Sequence, residues 1–145
     1  MPTITEYLSA DHQRCDNLFV EAEAAAQKKD LAAVRARFAA FHQAMVHHLT
    51  MEENIMFPAV EEATGNYMSG PTRVMRMEHG QMRGLFEDIE AALGAEDIPA
   101  CAGLLETLLV LMQQHNMKEE NMLYPMADNI LSGRGDIVRK MEAMQ

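Results

Sequence analysis

His48-Leu-Thr-Met-Glu52-Glu-Asn-Ile-Met-Phe-Pro58 returns sixty-seven residues later as His115-Asn-Met-Lys-Glu119-Glu-Asn-Met-Leu-Tyr-Pro125. His, Glu, Glu, Asn and Pro keep their places, and an aromatic precedes each proline. The same offset carries His12 onto His79. Residues four apart on a helix share a face, one turn above the other. His48 with Glu52, and His115 with Glu119, therefore each aim an imidazole and a carboxylate at one point. The result is two equivalent sets, His12/His48/Glu52 and His79/His115/Glu119. Imidazole and carboxylate are donors for first-row transition metals, so the repeat points to a two-metal site.

Working outward, the chain reads as helices joined by short turns. Thr3-Ile-Thr-Glu6 has capping-box spacing and starts the first helix, with Leu8, Cys15, Leu18 and Phe19 at helical intervals. Asp30 can cap a second, long helix to about Glu62, ended by Gly65-Asn66. Ser69-Gly70-Pro71 opens a third, which closes around Leu93-Gly94, and Asp97-Ile98-Pro99 opens a fourth toward Asp128. Ser132-Gly-Arg-Gly135 is a turn before a short amphipathic segment from Asp136. Short connections make neighbouring helices antiparallel. The expected fold is all-α: an up-down-up-down four-helix bundle of two pseudo-twofold-related hairpins, with a short C-terminal helix. One domain over 1–145 is expected, its repeat halves at about 3–65 and 69–131. Pro58 and Pro125 each remove an N–H donor and crowd the preceding turn. They predict a kink, or a helix end, just beyond each ligand pair.

Composition agrees with helices. Aromatics are 6% of the 145 residues, tryptophan is absent and there are 14 methionines, whereas strands draw on aromatic and β-branched residues. A formal net charge of −10 argues against a nucleic-acid surface, which needs clustered Lys and Arg. No apolar run approaches the ~20 residues of a membrane span, and no signal peptide is apparent. Cys15 and Cys101 form no C-x-x-C pair and read as reduced thiols. A cytoplasmic protein without nucleic-acid or membrane partners is expected.

The six candidate ligands lie on apolar faces. Phe41, Ala44, Met45 and Ile55 flank the first pair, and Leu104, Leu108, Leu111, Met112 and Met122 the second. His12 sits among Leu8, Cys15 and Phe19, and His79 among Met75, Met82 and Phe86. Unpaired polar groups there would each cost roughly a few kcal/mol. A single core histidine bonded to backbone, or one solvated His-x-x-x-Glu pair, would be ordinary; two sets in register are not. Six ligands give each of two ions two imidazoles, with both carboxylates free to bridge. Structural zinc favours closed tetrahedral sets, often with thiolates. A carboxylate-bridged pair of iron ions with an oxo or hydroxo bridge fits better, and manganese or zinc pairs satisfy the same donors.

These residues resemble the hemerythrin-like family, the HHE cation-binding domain. The likeness runs from Asp11-His12 through His48-x-x-x-Glu52-Glu53 and Glu78-His79 to His115-x-x-x-Glu119-Glu120. It implies a four-helix bundle in which His12 and His48 bind one iron, His79 and His115 the other, and Glu52 and Glu119 bridge. Oxygen-carrying members have a fifth histidine one turn after the third-helix ligand and an aspartate bridge. Arg83 stands at that position here and both bridges are Glu. The set is more similar to the branch associated with nitric-oxide stress and iron–sulfur repair, which often carries an additional N-terminal cysteine-containing domain.

Asp16, Glu78 and Arg83 are expected around the ligands. Asp16 and Arg83 occupy equivalent positions four residues after His12 and His79, which suggests an ion pair across the bundle; the rival is Asp16 as a labile ligand. Glu78 is placed to gate access or relay a proton, or lies on a solvated face. Glu53 and Glu120 orient histidine N–H groups, or face solvent. His42 and His47 are off the ligand face, and Cys15 is a small buried hydrophobe or a thiol near a bound oxidant. The leading functional expectation is a non-haem di-iron protein binding O2 or NO in sensing, stress response or iron-centre repair. An iron-binding or iron-donating protein without catalysis, and a di-iron peroxide or NO reductase, are the alternatives.

Overall fold

The computed structural model describes residues 2–144. Helix α1 (Ile4–Gln27) is followed by α2 (Leu31–Met51), a π-helical turn over Glu52–Met56 and α3 (Phe57–Thr64). The second half repeats this order as α4 (Pro71–Gly94), α5 (Ile98–Lys118), a π-helical turn over Glu119–Leu123 and α6 (Tyr124–Ile130). A final helix, α7 (Arg134–Glu142), completes the described chain. Hairpins α1–α2 and α4–α5 pack side by side, α1 also lying along α5 and α2 along α4. This is the antiparallel bundle of two hairpins expected from the repeat. No helix among the described residues is long and apolar enough to cross a membrane.

The start and stop signals act as their chemistry requires. Thr3 and Glu6 form the capping box, each side chain bonding the other's backbone N–H at 3.0 Å. Asp30 and Asp97 accept from Ala33 and Ala100 N–H, both at 3.1 Å. The turns before them repeat as well: Lys29 (φ 58°) and Glu96 (φ 59°) are both left-handed and reverse the chain in the same way. Gly65 ends α3 at φ 69°, a conformation open to a residue without Cβ. One cap is not local. Asp128 of α6 accepts the Ile4 and Thr5 N–H groups at 2.8 and 3.0 Å, closing the start of α1.

Between each candidate ligand pair and its proline the helix widens into a π-helical turn instead of ending. The departure from α-geometry begins on Glu52 and Glu119 themselves. Phe57 N–H bonds Glu52 C=O, and Tyr124 N–H bonds Glu119 C=O, each five residues back instead of four. The wider turn accommodates one extra residue, and the proline falls in the first turn of α3 or α6, where a missing N–H is tolerated. The C-terminal helix starts at Arg134, slightly before the expected Asp136.

Two apolar clusters fill the bundle. One, with Phe19, Phe41, Phe86, Leu105, Leu108 and Met112, occupies the end with the α1–α2 and α4–α5 turns. The other joins Ile4, Leu8, Met56, Phe57 and Tyr124 to Ile137, Val138 and Met141 of α7. Along α1 the inward residues run Leu8, His12, Cys15, Phe19, so His12 falls between the clusters. The polar side chains of the site form a layer with hydrocarbon on both sides.

Candidate metal centre

All six sequence-predicted ligands converge in that layer. His12, His48, Glu52, His79, His115 and Glu119 are buried, each no more than 2% exposed. They form two overlapping groups, His12/His48/Glu52/Glu119 and Glu52/His79/His115/Glu119, each with its donor atoms within 4.8 Å of one another. Both carboxylates belong to both groups.

Glu52 spans the centre. Its Oε1 lies 3.1 Å from His79 Nε2, and its Oε2 lies 3.6 Å from His48 Nε2. Glu119 Oε1 lies 3.1 Å from His12 Nε2 and 3.2 Å from His115 Nε2. Several of these atoms are close without being aligned for hydrogen bonds: Glu52 Oε1, Glu119 Oε2, His79 Nε2 and His115 Nε2 are buried with no partner. Buried polar atoms are ordinarily bonded. Donors aimed at common third points, at ligand-type separations, are what two coordinated cations would satisfy, so the residues fit the metal pair implied by the repeat.

The electrostatics point the same way. Two fully buried carboxylates demand positive charge nearby. Burial alone would lower the His48 pKa, but Glu52 and Asp11 raise it to about 10. His79, likewise opposed by burial, is raised to about 9 by Glu52 and Glu53. Burial works against ionised Glu52, yet His48 and His79 hold its carboxyl well below the usual range. The layer attracts cations, whether protons on imidazole or metal ions.

Each imidazole is oriented from behind by a carboxylate on its Nδ1, all at 2.8 Å. Asp11 takes His48, Glu78 takes His115, Glu53 takes His79 and Glu120 takes His12. An ionised carboxylate only accepts, so Nδ1 carries a proton and Nε2 is the nitrogen turned inward, where a bound cation would take the place of its proton. The pattern obeys the repeat. Asp11 and Glu78 precede a candidate ligand histidine and act within their own hairpin; Glu53 and Glu120 follow a candidate ligand glutamate and act across the two hairpins. Glu78 thus holds His115 and also accepts from Lys118 Nζ.

Arg83 and Asp16 do not pair. Arg83 Nη2 donates to Glu53 Oε1 at 2.7 Å, behind His79. Asp16 stands outside the two donor groups, half-buried, with its pKa raised by burial, opposed by His12 and reinforced by Glu120. His42 stacks between Phe38 and Phe86, and His47 bonds Met144 C=O at 2.6 Å, both away from the centre. Burial pushes the Cys15 thiol up to about 12, which suits a buried hydrophobe rather than a reactive thiolate.

Sequence reasoning missed Tyr124, fully buried in the layer. Its hydroxyl lies 2.6 Å from Glu52 Oε2 and 2.9 Å from Glu119 Oε1, and 3.1 Å from His12 Nε2 and 3.4 Å from His48 Nε2. Burial and the two carboxylates hold its pKa well above the usual value, keeping the O–H as a donor. The signal was present in the repeat, where Tyr124 faces Phe57 as the mismatched aromatic.

Residues 3–127 match the family model described as the hemerythrin HHE cation-binding domain. The chain belongs to this family. Relatives with curated names include iron–sulfur cluster repair protein YtfE of Enterobacter sp. (strain 638), 32% identical over 95 residues. The proteins of that name from Citrobacter koseri and Escherichia coli O1:K1 are 33% and 32% identical over 95 residues. Each alignment covers 59% of this chain and 43% of the relative. This hemerythrin-type chain thus aligns with less than half of those proteins, whose names agree with its expected place nearer the repair branch. No solved structure matches it significantly.

Proposed function

We propose that the chain is a non-haem di-iron protein that binds O2 or NO at a carboxylate-bridged site, in stress response or iron-centre repair in the cytoplasm. In this reading both halves act as one unit. His12 and His48 hold one ion, His79 and His115 the other, and Glu52 and Glu119 bridge. The observation that carries it is Glu52, whose two oxygens face different histidine pairs. When bound, the iron pair with its oxo or hydroxo bridge supplies open coordination positions and electron transfer to a diatomic ligand.

The protein's own residues do the rest. Asp11, Glu53, Glu78 and Glu120 fix the imidazole tautomers and orientations. Tyr124 presents a hydroxyl proton to the bridging carboxylates on the His12/His48 side. The apolar clusters above and below exclude water from the layer. Arg83, standing where oxygen carriers have a histidine, weighs against simple oxygen storage. A second reading is iron donation without catalysis, one way in which a chain similar to proteins named for iron–sulfur cluster repair could act.

Elemental analysis of purified protein tests the reading, with two irons per chain expected. Glu52→Ala combined with Glu119→Ala should abolish the pair while the histidines remain. Two irons with unchanged optical spectra in that variant would overturn the assignment of the bridges. Spectra of oxidised and reduced protein with O2 and NO separate the two readings: a ligand-dependent band supports diatomic binding, and rapid iron loss to an apo acceptor supports donation.

A further inference from the structure

Around the site the sixty-seven-residue repeat is broken at several positions, and two of the breaks fall unequally on the two histidine pairs. Tyr124 replaces the hydrocarbon of Phe57. Its hydroxyl oxygen sits near the Nε2 atoms of His12 and His48, whereas the Phe57 ring packs 5.3 Å from the His79 ring. Asp16 replaces Arg83. Arg83 neutralises Glu53, the carboxylate behind His79; Asp16 lies one turn beyond His12, whose own carboxylate is Glu120.

The charges behind the imidazoles follow. At His79 and His115, Glu53 carries Arg83 and Glu78 carries Lys118. At His12 and His48, Asp11 carries Arg14, but Glu120 has no cationic partner beyond His12 among the described residues. Asp16 adds a further anion with no salt bridge among the described residues. The His12/His48 side is therefore more negative by two charges. A carboxylate already neutralised by Arg or Lys pulls less strongly on the N–H proton it accepts and pushes less electron density into the ring, leaving that imidazole a weaker donor. A divalent or trivalent ion in the buried layer is also directly stabilised by uncompensated anions beside it, less so where those anions reach solvent, as Glu120 does.

Resting on the two-ion reading, we infer that the two metal positions are inequivalent: the ion between His12 and His48 is held tightly, and the ion between His79 and His115 leaves first. The chain would surrender one ion while the other keeps the site assembled.

Anaerobic titration with Fe2+ against a competing chelator, followed by calorimetry, tests this. The wild type should bind two ions in steps differing about tenfold or more. His12→Asn should remove the tight step and His79→Asn the weak one. Asp16→Asn should weaken the tight step, and Arg83→Gln, by freeing Glu53, should strengthen the weak step. Each shift should be about tenfold, with the far-UV helical signal unchanged. Opposite signs at equivalent positions are not what general loss of structure produces. Two equal steps in the wild type, or a gap that Asp16→Asn and Arg83→Gln both leave unchanged, would overturn the inference while the two-ion reading stands. Binding of a single ion in all would remove that reading, and this inference with it.

Discussion

Tyr124, from the second repeat, donates its hydroxyl proton to Glu52 of the first across 2.6 Å of bundle interior. One hydrogen bond thus ties the two hairpins together at the carboxylate that faces both histidine pairs. It reaches Glu119 as well, at 2.9 Å, so both candidate bridges share one donor.

Tyr124→Phe should remove that donor without disturbing packing, since Phe57 fills the equivalent place. Hydrogen bonds to charged groups contribute about 1.5–3 kcal/mol. Urea unfolding with chelator present should show a loss of about 2 kcal/mol, and an unchanged midpoint would mean that the hydroxyl does not support the carboxylates.

The carboxylates behind the histidines should matter for metal rather than for folding. Glu78→Gln keeps the size of the side chain but weakens its hold on the His115 N–H. Its affinity for Fe2+ should fall about 10- to 100-fold, with circular dichroism unchanged. Affinity equal to the wild type would assign Glu78 only to its Lys118 contact.

Glu61 offers a pH test remote from the ligands. Arg76 Nε and Nη2 donate to its two oxygens, both at 2.9 Å, and hold its carboxyl below the ordinary 4.5. A depressed folded-state pKa gives stability that is present above the unfolded value and lost as pH falls through the folded one. Glu61→Gln should therefore cost about 1 kcal/mol at pH 7. The gap from wild type should close on acidification below about pH 4. A gap of constant size in thermal unfolding at both pH values would discount the ion pair.

Helix α7 should contribute to stability independently of the metal layer. Met141 is fully buried in the apolar cluster with Ile4 and Leu8 and is not itself a candidate ligand. Met141→Ala should cost about 2–5 kcal/mol in denaturant unfolding and leave the iron-to-protein ratio unchanged. Loss of iron from the folded variant would show that α7 and the centre are coupled.

The helices, their caps and the six candidate ligands could be read along the chain because each depends on local spacing. Thr3 and Glu6 lie within one turn, Asp30 and Asp97 stand beside the N–H groups they cap, and His48 and Glu52 share a face whatever they pack against. The internal repeat then linked distant segments without any knowledge of packing. Other features depend on which side chains meet between helices. Asp11 serves a histidine 37 residues away and Glu120 one 108 residues away, and no local pattern carries such pairing. The repeat suggested Asp16 as the partner of Arg83; packing of the hairpins gave it Glu53 instead. Proline announced a disturbed helix, but not that the disturbance would be a wider turn beginning on Glu52 and Glu119, with Phe57 and Tyr124 buried just beyond it. Local sequence periodicity chose the donors, and the packing of two hairpins chose what stands behind each one.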